Sequence, residues 1–251
     1  MTRSGVVRNV WKRKGSRLIL GECRQVMSGL IAKGELFDAV ICDPPYSSGG
    51  TAIAQRQART SSKYQSSDAK KVHPDFLGDN RDQRSYLAWS TMWLSQCRQL
   101  LKPGGMLCVF IDWRQYPVMS DALQAADFLW KGGMAWNKGQ ARPAMGGFDQ
   151  RCEFVLWGTA GKRERQGSNG HGGFALPIVH HKYRVHAAEK PVELLKQLCQ
   201  CVEHVPGGRV LDPFAGSGTT IVAARELGLD AVGIEQSPEI AAIAKTRLEK
   251  T

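Results

Sequence analysis

The sequence lacks any apolar run near the roughly 18 residues that a membrane-spanning helix needs. Its basic N-terminus has no apolar core of the kind that a secretion signal carries. Its 7 cysteines show no paired CxxC spacing and mostly stand in apolar segments, which indicates reduced core thiols. We therefore expect a cytoplasmic protein that uses no metal and contacts no membrane.

Acidic residues are scarce relative to basic ones. Lys and Arg number 34 against 23 Asp and Glu, so the formal net charge is +11, which favours a polyanionic partner. Residues 1–21 contain no acid, and between 47 and 74 five basic residues face only Asp68. We expect this second stretch to be a mobile loop that contacts nucleic-acid phosphates, with a solvated loop of incidental charge as the alternative.

The tetrapeptide Asp43-Pro44-Pro45-Tyr46 closes an apolar run, 37–42, that is typical of a strand buried on both faces. Ligand crevices in open α/β sheets lie outside the carboxyl ends of such strands. A planar amine could donate one proton to Asp43 and the other to the Pro44 carbonyl while its ring stacks on Tyr46. Because stacking needs only the ring, Tyr46→Phe is predicted to be tolerated. A plain Asx-turn with Tyr46 in the core is the alternative.

A second motif, 210–220, has the pattern of a strand, a glycine turn and a helix start. Gly216 and Gly218 lack a Cβ, so a nucleotide-like ligand can approach the backbone. The apolar strand 230–235 then ends in Glu235, a suitable acceptor for ribose hydroxyls. A nicotinamide dehydrogenase would need a small residue where Ile221 stands, and no phosphate-binding lysine motif is present. An adenosine ligand without a pyrophosphate, S-adenosylmethionine, fits better.

These motifs, together with the segment 186–191, resemble those of the DNA amino-methyltransferases. Because the catalytic motif precedes the cofactor motif, the chain resembles the circularly permuted β group, which methylates the exocyclic nitrogen of adenine or cytosine. The resemblance covers about residues 17–157 and 184–250. It implies a single domain, 1–251, with a doubly wound, Rossmann-like α/β fold that depends on S-adenosylmethionine and acts on double-stranded DNA, as in restriction-modification systems.

The resemblance also assigns site residues. The catalytic residues are Asp43, Pro44, Pro45 and Tyr46. The cofactor-binding residues are Lys190, Asp212, Pro213, Phe214, Gly216, Ser217, Gly218, Thr219 and Glu235. In the first motif position Asp is typical of adenine enzymes, so adenine N6 is the predicted target, reached after the base rotates out of the duplex.

Two basic insertions, 47–85 and 158–185, are predicted to bind DNA, the second as a short target-recognition region. The residues expected to contact DNA are Arg56, Arg59, Lys63, Lys162, Arg163, Arg165, Lys182 and Arg184. The target sequence, a restriction partner and the oligomeric state, including a homodimer, stay open.

Alternative functions differ in the residues that they need. Methylation at C5 of cytosine needs a thiolate beside the base, but Cys42 is expected to face away from Asp43 and to lie in the core. Methylation of cytosine N4, of an RNA base or of a protein amide would use the same residues. A DNA-binding regulator without turnover is a further alternative, although every motif residue is chemically intact.

The remaining chain is predicted to be scaffold. Periodic leucines predict a helix over 86–101 that ends at Pro103-Gly104-Gly105, followed by a buried strand over 106–111. Further helices are expected over 191–203 and 238–248. Trp89 and Trp93, four residues apart, are expected to pack in the core.

Overall fold

A computed structural model of the chain describes residues 7–47, 81–139, 145–164, 167, 169–180 and 189–251. The strands are β1 (Arg8–Arg13), β2 (Ser16–Leu20), β3 (Phe37–Cys42), β4 (Leu101–Ile111), β5 (Leu129–Asn137), β6 (Cys152–Thr159), β7 (Gly173–Ala175), β8 (Arg209–Asp212) and β9 (Asp230–Glu235). The helices are α1 (Cys23–Ala32), α2 (Gln83–Leu100), α3 (Tyr116–Ala125), α4 (Val192–Cys199), α5 (Thr219–Glu226) and α6 (Pro238–Lys250), and a 3₁₀ turn follows α4 at Gln200–Val202.

The described strands form one mixed sheet in the order β1-β2-β9-β8-β3-β4-β6-β5-β7. Strands β2, β9, β8, β3 and β4 run parallel, whereas β6 runs antiparallel to both β4 and β5. The carboxyl ends of the parallel strands therefore lie at one edge of the sheet, together with the start of β6. The amino ends of the parallel strands and the end of β6 lie at the opposite edge.

Helices cover both faces of the sheet. One apolar core joins α1, α2 and α3 to residues such as Val40 and Cys42, and the other joins α4, α5 and α6 to residues such as Ala39 and Ile41. This alternation along β3 follows from the two-residue side-chain period of a strand. It puts Cys42, which is 1% exposed, on the side away from the next residue, Asp43.

Helix starts follow from local capping. Glu22 accepts hydrogen bonds from the amides of Arg24 and Gln25 at the start of α1, and Asp82 caps α2 in the same way. Ser237 caps α6, which has Pro238 in its first turn. These side chains satisfy amides that have no partner inside the helix.

The structure confirms most of the predicted elements and corrects the boundary between α2 and β4. Helix α2 ends at Leu100, and Pro103-Gly104-Gly105 lies within the bounds of β4 instead of in a separate loop. The reason is tertiary pairing: Leu101 pairs with Phe37, and the register then shifts before Met106 pairs with Ala39. The Gly104 amide donates to the carbonyl of Ala160, which attaches the irregular stretch to the end of β6.

The second insertion is also not entirely loop. Within 158–185, β6 continues to Thr159, and β7 adds an edge strand beside β5. Of the described helices, none is both long and apolar enough to cross a membrane.

Candidate active site

The two motifs meet at the point in the sheet where the order of successive strands changes direction. Strands β3 and β8 are neighbours, but the chain passes from β3 to β4 on one side and from β8 to β9 on the other. Such a switch point leaves a crevice at the carboxyl ends of the strands. Asp43 follows β3 and Asp212 ends β8, so both residues lie at this end of the sheet.

Asp43 is held by two short hydrogen bonds. The hydroxyl of Tyr46 donates to its Oδ1 at 2.5 Å, and the ammonium of Lys190 donates to its Oδ2 at 2.5 Å. Burial raises the pKa of Asp43, and the nearby ammonium of Lys190 opposes that rise only in part. The sequence argument used only the ring of Tyr46, whereas the structure shows that its hydroxyl orients the predicted catalytic carboxylate.

Glu153, on β6, is a member of this group that sequence reasoning missed. Its carboxylate lies 3.3 Å from the ammonium of Lys190, 3.1 Å from that of Lys138 and 3.4 Å from the hydroxyl of Tyr46. Burial acts to raise the pKa of Glu153, but Lys190 and Lys138 outweigh burial and lower it. No pattern in the sequence links Glu153 to Asp43, because β6 reaches β3 only through β4.

The sequence predicted that a ligand can approach the turn after β8 where glycines lack a Cβ; the structure leaves such room at Gly216, whereas a Cβ on Gly218 would contact side chains of α6. Gly216 and Gly218 have φ of +50° and +79°, in the left-handed region that favours glycine. A Cβ on Gly216 would meet only the Phe214 carbonyl, at 4.0 Å, so a ligand has room to approach the turn. Phe214 packs behind the turn, edge-on to Trp93 at 5.1 Å.

Glu235 lies beside the glycine turn. Its carboxylate accepts hydrogen bonds from the amides of Gly216 at 3.1 Å and Ser237 at 2.7 Å. Burial raises the pKa of Glu235 to about 7, and it raises the pKa of Asp212 to about 7 as well. Two buried carboxyls beside an open glycine turn fit a ligand that brings hydroxyl donors and a positive charge, as S-adenosylmethionine does.

Residues 189 and 190 connect the two halves of the site. Glu189 pairs with Arg247 of α6 at 2.9 Å, and the same guanidinium donates to the hydroxyls of Ser217 and Thr219. The next residue is Lys190, which bonds Asp43. The structure thus places Lys190, which was predicted to bind the cofactor, beside the predicted catalytic carboxylate of Asp43, while its neighbour Glu189 is anchored beside the glycine turn. Arg247, like Glu153, has no signal in the sequence.

The predicted DNA contacts are not all brought to the crevice. Lys162 and Arg163 follow the end of β6, at the opposite edge of the sheet, because β6 is antiparallel to β4. Arg163 donates to the carbonyls of Gly104 and Cys201 and so attaches this stretch to the scaffold. The other predicted contacts lie outside the described residues: Arg56, Arg59, Lys63, Arg165, Lys182 and Arg184.

Two exposed aromatic side chains at the edge that carries the crevice were not among the predicted site residues. Trp113, just after β4, is half exposed, and Phe148, in the connection between β5 and β6, is 92% exposed.

In the described part of the chain, no group of three or more His, Cys, Asp or Glu side chains could hold a metal ion. The five most buried cysteines lie in the two cores, and burial raises the pKa of the Cys42 thiol, which disfavours a thiolate there.

Comparison with known proteins gives consistent results. A family profile described as DNA methylase matches residues 37–246. The protein YubD of Escherichia coli (strain K12) is 30% identical over 230 residues, which cover 88% of this chain and 84% of that protein.

Solved structures share the fold. TTHA0409 of Thermus thermophilus, solved in complex with S-adenosyl-L-methionine, has a TM-score of 0.65 at 21% identity, covering 92% of this chain and 93% of that one. The PvuII DNA methyltransferase, described as cytosine-N4-specific, has a TM-score of 0.71 at 15% identity, covering 96% and 88%. The predicted methyltransferase fold is therefore confirmed.

Proposed function

This chain belongs to the DNA methylase family of N6 and N4 amino-methyltransferases, and from that premise we propose that it methylates N6 of adenine in duplex DNA. S-adenosylmethionine supplies the electrophilic methyl group on its sulfonium. The observation that carries the proposal is Asp43, held by Tyr46 and Lys190 at the switch point beside the glycine turn. In motif order the chain matches the β group, which we propose as its subgroup.

The proposed chemistry needs positioning more than a strong base. A base that has rotated out of the duplex stacks on Tyr46, and its amine donates one proton to Asp43 and the other to the Pro44 carbonyl. Holding both N–H bonds aims the nitrogen lone pair at the methyl group. The carboxylate of Asp43 stabilises the positive charge that develops on the nitrogen and can then accept the released proton.

The choice of adenine rests on Asp43. A carboxylate stabilises developing positive charge better than a neutral acceptor does, and the conjugated adenine amine is a weak nucleophile that needs this help. For the cofactor, we propose that Glu235 accepts the ribose hydroxyls, while the turn from Asp212 to Thr219 surrounds the ligand. Pro213, Phe214, Gly216, Ser217 and Gly218 lie within that turn.

The proposed DNA surface is the edge that carries the crevice. Ser47 follows the catalytic motif, and α2 begins close to Phe214, against which Trp89 packs at 5.7 Å. The segment that carries Arg56, Arg59 and Lys63 therefore starts and ends at this edge. Strand β7 ends at this edge at Ala175, and Lys190 also lies there, so we assign target recognition to the connection between them, residues 176–188, in place of the stretch around Lys162.

Product analysis tests the function. Purified protein is incubated with labelled S-adenosylmethionine and DNA from a methylation-free host, and the nucleosides are identified by mass spectrometry. N6-methyladenine is expected, and single-molecule sequencing of the same DNA reports the target sequence. The control is Asp43→Ala, which should lose turnover by orders of magnitude while it keeps its cofactor affinity.

Each other product has a distinct meaning. N4-methylcytosine would overturn the adenine assignment and keep the mechanism, whereas 5-methylcytosine would overturn both. Tight DNA binding without any methyl transfer would favour a regulator that has kept the fold and lost turnover.

A further inference from the structure

Four charged side chains form an alternating row at the crevice. Asp43 pairs with Lys190 at 2.5 Å, Lys190 pairs with Glu153 at 3.3 Å, and Glu153 pairs with Lys138 at 3.1 Å. All four are at least three-quarters buried, with side-chain exposures between 11% and 24%. Two carboxylates balance two ammonium groups, so removal of one carboxylate would leave the row with a net positive charge.

The ammonium of Lys190 opposes the proposed reaction unless its charge is compensated. Each oxygen of Asp43 already accepts one short hydrogen bond, from Tyr46 or from Lys190. When the methyl group arrives, positive charge develops on an amine that binds the same carboxylate, so this charge lies close to the ammonium. Like charges in a partly buried site repel strongly, and the repulsion raises the barrier.

We propose that Glu153 is a positioning residue that acts through Lys190: it supplies the counter-charge that leaves the negative charge of Asp43 available to the target amine. This inference rests on the proposed amino-methyltransferase function. As the amine binds Asp43, the ammonium of Lys190 shifts its hydrogen bond toward the carboxylate of Glu153, only 3.3 Å away. Glu153 itself does not contact the base.

The surroundings support this division of roles. The titratable groups that face Lys190 and Glu153 are Asp43 and Tyr46 after β3 and Lys138 after β5, while Asp112, after β4, acts on Tyr46. Burial acts to lower the pKa of Lys190, but Asp43 and Glu153 outweigh burial and raise it, so the lysine stays charged. Glu153 also contributes to the raised pKa of Asp43.

The test is Glu153→Gln, which keeps the size of the side chain and removes its charge. We expect the plateau kcat to fall roughly tenfold or more, with little change in the cofactor Kd or the KM for DNA. The charge of Glu153 raises the pKa of Asp43. In a plot of kcat against pH, the acid limb, where kcat falls at low pH, should therefore move to lower pH in Glu153→Gln. A merely structural loss would lower the plateau without moving that limb.

Glu35 provides a matched control. Its carboxylate also bridges two cations, Arg17 at 2.5 Å and Arg209 at 2.8 Å, and is 17% exposed against 20% for Glu153. It precedes β3, at the edge of the sheet away from the crevice. Glu35→Gln should lower the melting temperature while the kcat profile keeps its acid limb.

A double-mutant cycle with Lys190→Met isolates the coupling. If Glu153 acts through the ammonium, Glu153→Gln should cost much less turnover in the Lys190→Met background than in the wild type. Equal costs in both backgrounds, or an acid limb that does not move, would overturn the inference. A wild-type protein that transfers no methyl to any base would instead overturn the proposed function.

Discussion

Single side chains at the crevice show how one hydroxyl or carboxylate changes the chemistry expected of its neighbour. The Tyr46 hydroxyl donates to Asp43 at 2.5 Å, so it stabilises the ionised carboxylate. A sequence argument that considered only base stacking predicts a tolerated Tyr46→Phe. The observed hydrogen bond leads to a different expectation.

Tyr46→Phe should lower kcat about tenfold, the typical effect of losing a hydrogen bond to a charged group. The acid limb of the plot of kcat against pH should move to higher pH, because the lost hydrogen bond leaves the ionised form of Asp43 less stable. Tyr46→Ala should lose a further hundredfold or so, since stacking needs the ring. Steady-state kinetics on duplex DNA distinguish the two variants. A Tyr46→Phe enzyme with wild-type kcat and pH dependence would show that the hydroxyl has no role.

The proposed role of Glu235 predicts that cofactor affinity depends on pH. Burial raises its pKa to about 7 from 4.5, and the ionised form is the better acceptor for ribose hydroxyls. Cofactor affinity should therefore increase from about pH 6 to about pH 8, as measured by calorimetry. Glu235→Gln should show weaker affinity and a shallower pH dependence, whereas Glu239→Gln, exposed on α6, should behave as wild type. The assignment is wrong if Glu235→Gln retains the full dependence.

The same carboxyl affects stability with the opposite sign. Its pKa in the folded chain lies above the ordinary value, so the folded state binds the proton more tightly than the unfolded state does. Its contribution to the free energy of unfolding therefore decreases as pH rises between 4.5 and about 7. In the proposed site the ionised form binds the cofactor, so this cost in stability accompanies function.

Among the elements, the contact between α5 and β9 explains a substitution that separates this chain from dinucleotide-binding proteins. Ile221 stands where their fingerprint has a small residue, and Gly233 on β9 makes room for it. A Cβ on Gly233 would lie 2.6 Å from Ile221 Cδ1 and 2.8 Å from Ala215 Cβ. In this chain the small residue at the contact between helix and strand is therefore Gly233 on the strand, whereas in the dinucleotide-binding fingerprint it is on the helix.

Gly233→Ala should lower the free energy of unfolding by about 1 to 3 kcal/mol through overpacking. It should also weaken cofactor binding, because Ala215 directly precedes the Gly216 turn. Addition of Ile221→Val should recover part of both losses. Gly29→Ala, on the exposed side of α1 with no atom within 4 Å of its Cβ, is the control and should be neutral or stabilising. Chemical denaturation and calorimetry measure both effects, and an unchanged Gly233→Ala protein would contradict this packing argument.

For the whole molecule, the net charge of +11 matters through its distribution between the two edges of the sheet. The proposed DNA edge carries the crevice, and the opposite edge carries exposed lysines such as Lys14, Lys33 and Lys250. Equal changes in net charge at the two edges should therefore change the affinity for DNA by different amounts.

Neutralisation of Arg56, Arg59 and Lys63 together should weaken binding to target and non-target duplexes alike and reduce the salt dependence, because phosphate contacts release counterions without reading sequence. Lys14→Gln, Lys33→Gln and Lys250→Gln together change the net charge equally at the far edge and should have a much smaller effect. Titrations by fluorescence anisotropy at several salt concentrations compare the two. Similar losses in both triple variants would mean that only total charge matters.

Local patterns in the chain predicted the buried strand before Asp43, the glycine turn, the strand ending in Glu235 and most helices. These features depend on side-chain period, on caps and on the backbone freedom of glycine, which neighbouring residues set. The core positions of Cys42 and Trp93 follow from the same periodicity. They could be predicted because each depends on a few consecutive residues.

Tertiary structure alone decided which charges meet. Glu153 joins Asp43 and Lys190 because β6 pairs with β4 in an antiparallel register, and that register also carries Lys162 and Arg163 to the far edge of the sheet. Arg247 reaches the glycine turn only because α6 packs beside that turn. Pairing between strands distant in the chain depends on the whole core, so no local pattern records it.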